Sequence, residues 1–410
     1  MVQSSIEDFL ADGFIEEDYI EDFSPPGPSP EVRHGSGNVI TWPKNKRAVS
    51  AIPQQPSDAQ EVQKGMDLLH KLSHPHEPEQ PATEIEFSPI LLPQPVRPGA
   101  TLREEMPKAV TAYRRAWFHL RKSLPQIVGT KKVDLPGFES AVNEIISSLE
   151  RNRDALFCLT KLLSSKGYVY THSVNVCIYM GAYVLNSGMS HQEALKAGIG
   201  GLLHDIGMSL LPHSLLRAPG GLSPTEKVLV KRHPALAHEI LKESPGISGE
   251  ALNAALEHHE RYDGSGYPNG LSGDDISFIG HLSSIASSFD AISSDREFKR
   301  SLQPHYALGE MFKQRNKQFH PDMLDTFIRM IGIFPVGTVV RLEDGYLGVV
   351  SAISPDNLTR PIVTLVRDPK GKPMVHLECD MAREKIAGIS GCLNPTDVDI
   401  PVHQILGIRL

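Results

Sequence analysis

Residues 200–207 read Gly-Gly-Leu-Leu-His-Asp-Ile-Gly, and residues 258–268 read His-His-Glu-Arg-Tyr-Asp-Gly-Ser-Gly-Tyr-Pro. The first stretch ends an apolar run of helical period, so His204 and Asp205 are expected at a helix end. An imidazole beside a carboxylate suits a metal site. One supplies a neutral nitrogen donor, and the other an anionic oxygen that can bridge two cations. His258 and His259 form a second doublet, and His172 and His233 fall in expected helices flanking the first. A lone helical histidine is more often a core or surface residue, and His119, His213, His238, His281, His305 and His320 take that reading. The gathering of the others within 172–259 is what points to metal.

Outward from that centre the pattern is helical. Apolar residues recur three and four apart over 104–124 and 135–165, as in Phe138, Val142, Ile145, Ile146 and Leu149. Further helices are expected at 170–186, 191–204, 224–242, 249–259, 277–293, 304–317 and 321–332. Asp134 before Leu135-Pro136 marks a helix start and Gly167 a helix end. Beyond Pro335 the pattern changes: strands are expected at 338–342, 347–350 and 361–366, with turns at Asp344-Gly345 and Pro369-Lys370-Gly371.

Residues 1–22 carry eight acidic side chains and no Lys or Arg, and 14 of the 32 prolines lie in the first hundred residues. That stretch reads as a mostly flexible arm, with a short strand at 38–42 and a short helix at 58–72. The expected fold class is therefore mainly α: an all-helical domain with a flexible N-terminal arm and a small β-rich C-terminal appendage. The expected boundaries are 1–100 for the arm, 101–150 for a helical lead-in, 151–334 for the helical domain and 335–410 for the β-rich region.

The chain has 410 residues, a formal charge of −8, 40% hydrophobic and 22% charged residues. This is the balance of a globular protein with no general affinity for DNA. No apolar run reaches the length of a membrane helix, and the acidic start is unlike a secretory signal. Cys158, Cys177, Cys379 and Cys392 form no CxxC pair, so a reducing, cytoplasmic setting is expected.

The order His172, His204-Asp205, Lys231-Arg232-His233-Pro234, His258-His259-Glu260-Arg261 and Gly266-Tyr267-Pro268, followed by Phe289-Asp290-Ala291-Ile292, resembles the HD-GYP family. That family is a branch of the HD superfamily of metal-dependent phosphohydrolases, and the resemblance covers roughly residues 150–332. It implies hydrolysis of cyclic di-GMP to linear pGpG or GMP, with a metal-bridged hydroxide as attacking group and Asp205 and His204 at its centre. It also implies two ions, iron or manganese, about 3.5–4 Å apart. By motif, one would use Asp205, His233, His258 and His259, and the other His172, His204 and Asp205. Arg296 and Lys299 match basic positions that contact the dinucleotide, a role suited to charged donors. The Gly266-Tyr267-Pro268 surface implies contact with diguanylate cyclases bearing a GGDEF motif, although the tripeptide also reads as a plain surface turn.

Three positions depart from the family. Met208 stands where a phosphate-facing lysine is usual, and Ser287 where a metal-binding aspartate is usual. Tyr168 stands where three-metal members carry glutamate. Losing an anionic ligand weakens the ion on the His172 side, and losing the lysine costs rate, on the order of 10²–10³ by analogy with deleted oxyanion donors. Two readings follow: a slow phosphodiesterase, or a degenerate module that binds metal, nucleotide or protein partners without hydrolysis. A general nucleotidase of the wider superfamily fits less well, since Gly266-Tyr267-Pro268 and its flanks are intact.

Overall fold

A computed structural model describes residues 99–162, 168–212, 223–294, 302–354, 357–395 and 397–408. The expected N-terminal arm, its strand at 38–42, its helix at 58–72 and the helix end at Gly167 lie outside the described residues. So do Arg296 and Lys299.

The helical part comprises α1 (Leu102–Thr130), α2 (Leu135–Leu162), α3 (Tyr168–Asn186), α4 (His191–Leu203), α5 (Pro224–Val230), α6 (His233–Lys242) and α7 (Gly249–Glu257). It continues with α8 (Phe278–Ser293), α9 (Pro304–Lys313) and α10 (Pro321–Ile331). Thr101, Ser190 and Ser223 start α1, α4 and α5 with reciprocal capping boxes to Glu104, Glu193 and Glu226. Each such cap is worth about 1 kcal/mol.

The stretch 224–242, expected as one helix, is two. Pro234 is the reason. In a continuous helix its nitrogen would donate to the Val230 carbonyl, but proline has no N–H and its ring crowds that position. The chain breaks at Lys231 and Arg232, and Pro234 enters the first turn of α6, where a missing donor costs nothing.

α3 and α8 are buried on nearly every side and pack against each other in the middle of the helices. α1 lies along α2, pinned by the fully buried Glu105. Arg151 grips that carboxylate with two donors at 2.7 and 2.8 Å, and the Ser148 hydroxyl donates at 2.8 Å. This satisfies a charge whose burial would otherwise cost several kcal/mol.

After α10 come β1 (Val339–Leu342), β2 (Leu347–Ala352), β3 (Ile362–Arg367), β4 (Pro373–Asp380), β5 (Ile389–Leu393) and the short α11 (Val402–Ile405). The five strands form one antiparallel sheet in the order β4-β3-β2-β1-β5. One hydrophobic core runs from Met106 and Phe138 through Phe289 and Phe327 to Val339, Val350 and Leu406. The expectation of mainly α with a small β-rich C-terminal part holds. β4 and β5 went unread because most of their side chains are exposed or half-exposed, which blurs alternation.

Candidate metal centre

His204 directly follows the last turn of α4, His258 the last turn of α7, and His233 stands just past the break after α5. Helix ends carry carbonyls without intrahelical partners. Each of these imidazoles uses one: Nδ1 of His204 donates to Gly201 O at 2.8 Å, of His233 to Val230 O at 2.8 Å, and of His258 to Ala255 O at 2.9 Å. The Val230 carbonyl is the one Pro234 leaves unclaimed. A carbonyl only accepts, so Nδ1 bears the proton and Nε2 of each ring presents a lone pair.

Those lone pairs converge. His233 Nε2 lies 3.0 Å from His258 Nε2 and 3.1 Å from His259 Nε2. Asp205 divides its carboxylate between two sides. Oδ1 is 3.3 Å from both His233 and His258 Nε2, while Oδ2 is 3.3 Å from His204 Nε2 and 3.7 Å from His172 Nε2. Oδ1 is buried and accepts no hydrogen bond among the described residues. Four acceptors facing one another across about 3 Å repel unless a cation lies between them, so the donor set fits a metal ion. The C-terminal ends of α4 and α7 add negative potential at the same place.

Burial drives the His258 imidazole down to about 4 and His259 well below its usual value, so both are neutral donors at pH 7. Burial also lowers His204, but the Asp205 carboxylate outweighs it and the net shift is upward. For Asp205 burial acts to raise the carboxyl, and the surrounding imidazoles hold it well below the usual carboxylate range.

The arrangement therefore has two groups, His233-His258-His259 and His172-His204-Asp205, all buried. The second is thinner. Its remaining neighbour is Ser287, whose Oγ is 3.2 Å from His172 Nε2 and 3.4 Å from His204 Nε2, a neutral hydroxyl on the anion-poor side. Met208 is buried in a small apolar cluster with Leu211 and Val230, packed on Val169 and Leu236, and offers no donor to the site. The side chain of Tyr168 is outside the described residues.

Two residues hold the glycine-tyrosine-proline loop in place. Gly266 backs onto the main chain of residues 259–261, where a Cβ would overlap the Arg261 nitrogen, and Tyr267 N donates to His259 O at 3.1 Å. The Tyr267 ring stacks on His259 with centroids 4.6 Å apart and an 18° interplanar angle, and the Lys231 ammonium lies over it at 4.9 Å. Buried Glu260 accepts from the backbone N–H of Asn269 and Leu271 and so closes the loop. The structure thus brings Gly266, Tyr267 and Pro268 up to the histidines.

Sequence reasoning set Asp290 aside as a ligand and gave it no other task. Its Oδ2 takes the His172 Nδ1 proton at 2.7 Å, while Oδ1 accepts from Asn175 at 2.7 Å and Ser294 at 3.0 Å. Asn175 in turn accepts from the Tyr113 hydroxyl of α1 at 3.0 Å. This carboxylate orients the His172 ring and fixes its tautomer. The signal available was the spacing of Asp290 three residues after Ser287 on one helix.

A family model described as HD domain matches residues 158–323. A cyclic di-GMP phosphodiesterase of Pseudomonas aeruginosa is 33% identical over 326 residues, covering 79% of this chain and 76% of that protein. The cyclic di-GMP phosphodiesterase response regulator RpfG of Xanthomonas campestris pv. campestris is 34% identical over 183 residues, 44% of this chain and 48% of that protein. A 3′3′-cGAMP-specific phosphodiesterase of Vibrio cholerae is 29% identical over 46% of this chain and 36% of its own length. With a paired-histidine site of this construction and a relative matched over most of both chains, this chain belongs to the HD-GYP family of HD-domain proteins.

Proposed function

We propose that the chain is a metal-dependent phosphodiesterase that hydrolyses cyclic di-GMP to linear pGpG or GMP. The observation that carries this reading is the convergence of four imidazole Nε2 atoms, of His172, His204, His233 and His258, on the two oxygens of one buried carboxylate, Asp205, with His259 Nε2 beside that of His233. His233, His258, His259 and Asp205 would hold one divalent ion, and His172, His204 and Asp205 a second, weaker one. Iron or manganese suits a site of imidazoles and one carboxylate. When bound, the metal supplies Lewis acidity that activates water and offsets charge on the phosphoryl oxygens.

The chain's own residues do the rest. Asp205 turns one oxygen to each group of imidazoles, with His204 on the Oδ2 side, and Asp290 keeps the His172 lone pair turned inward. Glu260 and Gly266 hold Tyr267 against His259 at the rim. Arg296 and Lys299 are proposed to grip the dinucleotide phosphates, and the Gly266-Tyr267-Pro268 loop to face GGDEF-type partners. All four cysteines are free, which supports a reducing, cytoplasmic setting. No described helix is long and apolar enough to cross a membrane.

A second reading rests on Ser287 and Met208: a module that binds metal and nucleotide without turning it over. Anaerobic purification, metal counting and incubation with cyclic di-GMP plus Mn²⁺ or Fe²⁺ separate the two. Product that disappears in His204→Ala supports the enzyme. Metal and nucleotide binding without product supports the silent module.

A further inference from the structure

A chain of buried polar groups backs the His172 ring and ends on a helix that the HD domain family model does not reach. His172 Nδ1 gives its proton to Asp290 Oδ2 at 2.7 Å, and Asp290 Oδ1 accepts from Asn175 Nδ2 at 2.7 Å. The Tyr113 hydroxyl then donates to Asn175 Oδ1 at 3.0 Å. His172 and Asn175 stand on α3, Asp290 on α8 and Tyr113 on α1. None of the four is more than 2% exposed. α1 ends at Thr130, well before residue 158, where the match to the family model begins.

Chemistry fixes the direction of each bond. A carboxylate only accepts, so Asn175 turns its amide nitrogen to Asp290 and leaves its oxygen facing α1. That buried oxygen needs a donor, and Tyr113 supplies it. Burial, with the Asp290 charge nearby, pushes the Tyr113 phenol well above its usual value, so it keeps its proton. Thr171, the neighbour of His172 in sequence, hydrogen-bonds the same phenol and ties it to α3. Without the Tyr113 hydroxyl, Asn175 is held on the Asp290 side alone, and its grip on the carboxylate that orients His172 loosens.

We propose that Tyr113 is a positioning residue of the metal centre. Through Asn175 and Asp290 it keeps the His172 lone pair aimed at the weaker of the two ion positions. That side has a serine hydroxyl where a second anion would help, so it depends most on how well its imidazoles are aimed. α1 is thereby part of the site, although it lies outside the matched segment. The proposal rests on the metal-dependent phosphodiesterase reading and names the element that completes its second ion position.

The test titrates the full metal-free chain with Mn²⁺ by calorimetry. Tyr113→Phe keeps the ring and removes only the hydroxyl. Affinity for the weaker ion should fall about tenfold, the low end for outer partners of a metal ligand, with the tighter ion within about twofold of wild type. Tyr183, also buried on α3, hydrogen-bonds Thr326 instead and serves as the control. Tyr183→Phe should lower the melting temperature about as much as Tyr113→Phe while leaving both ions unaffected. Because Tyr113 acts through Asp290, adding Tyr113→Phe to Asp290→Ala should weaken the second ion no further. Unchanged Mn²⁺ binding in Tyr113→Phe would overturn the proposal and leave the phosphodiesterase reading standing. Losses shared by both ions, or matched by Tyr183→Phe, would overturn it as general loosening of the core. Additive losses in the double variant would overturn the route through Asp290. A wild-type chain that binds no metal would sink both readings together.

Discussion

Ser287 is fully buried between His172 and His204, at the point where the site is short of negative charge. A second dication beside the first needs an anion close by to offset their repulsion. Ser287→Asp should therefore raise the metal-to-protein ratio toward two, read by plasma emission spectroscopy. An unchanged ratio would mean that residue 287 does not face the second ion. Asp290 acts one step back, through His172. Its replacement in Asp290→Ala leaves the His172 Nδ1 proton without an acceptor and frees the ring to turn. Removing such an outer partner typically costs 10–100-fold in metal affinity. A metal titration should show that loss on one of two ions, with helix content by circular dichroism kept as the control for folding.

At the scale of elements, the site is assembled from helix ends. α4 and α7 end immediately before His204 and His258, and the break between α5 and α6 frees Val230 O for His233. Gly207 lets the 3₁₀ turn Ile206–Leu210 press against the start of α6, where a Cβ would overlap the His233 carbonyl. Pro234→Ala restores an N–H that competes for the Val230 carbonyl and favours joining α5 to α6. The expected result is a slight rise in helix content together with metal affinity about tenfold weaker. Unchanged affinity would show that the broken helix is not what aims His233.

For the whole molecule, buried neutral histidines set how the fold meets acid. Burial, with a nearby His320, takes His281 down to about 4, and burial beside Lys161 does the same to His305, whose Nδ1 has no partner among the described residues. An unfolded histidine titrates near 6.5. Between those values the unfolded chain binds protons that the folded chain refuses, so stability rises with pH there. The contribution is complete above about 6.5 and is lost as pH falls toward 4, up to roughly 3 kcal/mol for each histidine. Urea unfolding at pH 7.5 and 5 should show a clear drop, smaller in His305→Leu. An equal drop in that variant would assign the acid sensitivity elsewhere.

The amino-acid sequence by itself determined the fold class and the six residues of the candidate metal centre. Amphipathic periods, caps such as Ser190-x-x-Glu193 and the adjacent pairs His204-Asp205 and His258-His259 are local signals, readable without knowing what packs on what. The resemblance to the HD-GYP pattern also marked Met208 and Ser287 as exceptions, because each stands where that pattern carries a charged residue. Tertiary structure decided what depends on neighbours distant in the chain. Only packing shows that Asp205 splits its oxygens between two groups of imidazoles, because those imidazoles come from four separate helices or their ends. Only packing gives Asp290 its hold on His172, 118 residues away, and sets the Trp117 ring of α1 edge-on against Tyr170 of α3. Hydrogen-bond direction and burial are properties of surroundings, and the surroundings exist only once the helices have met.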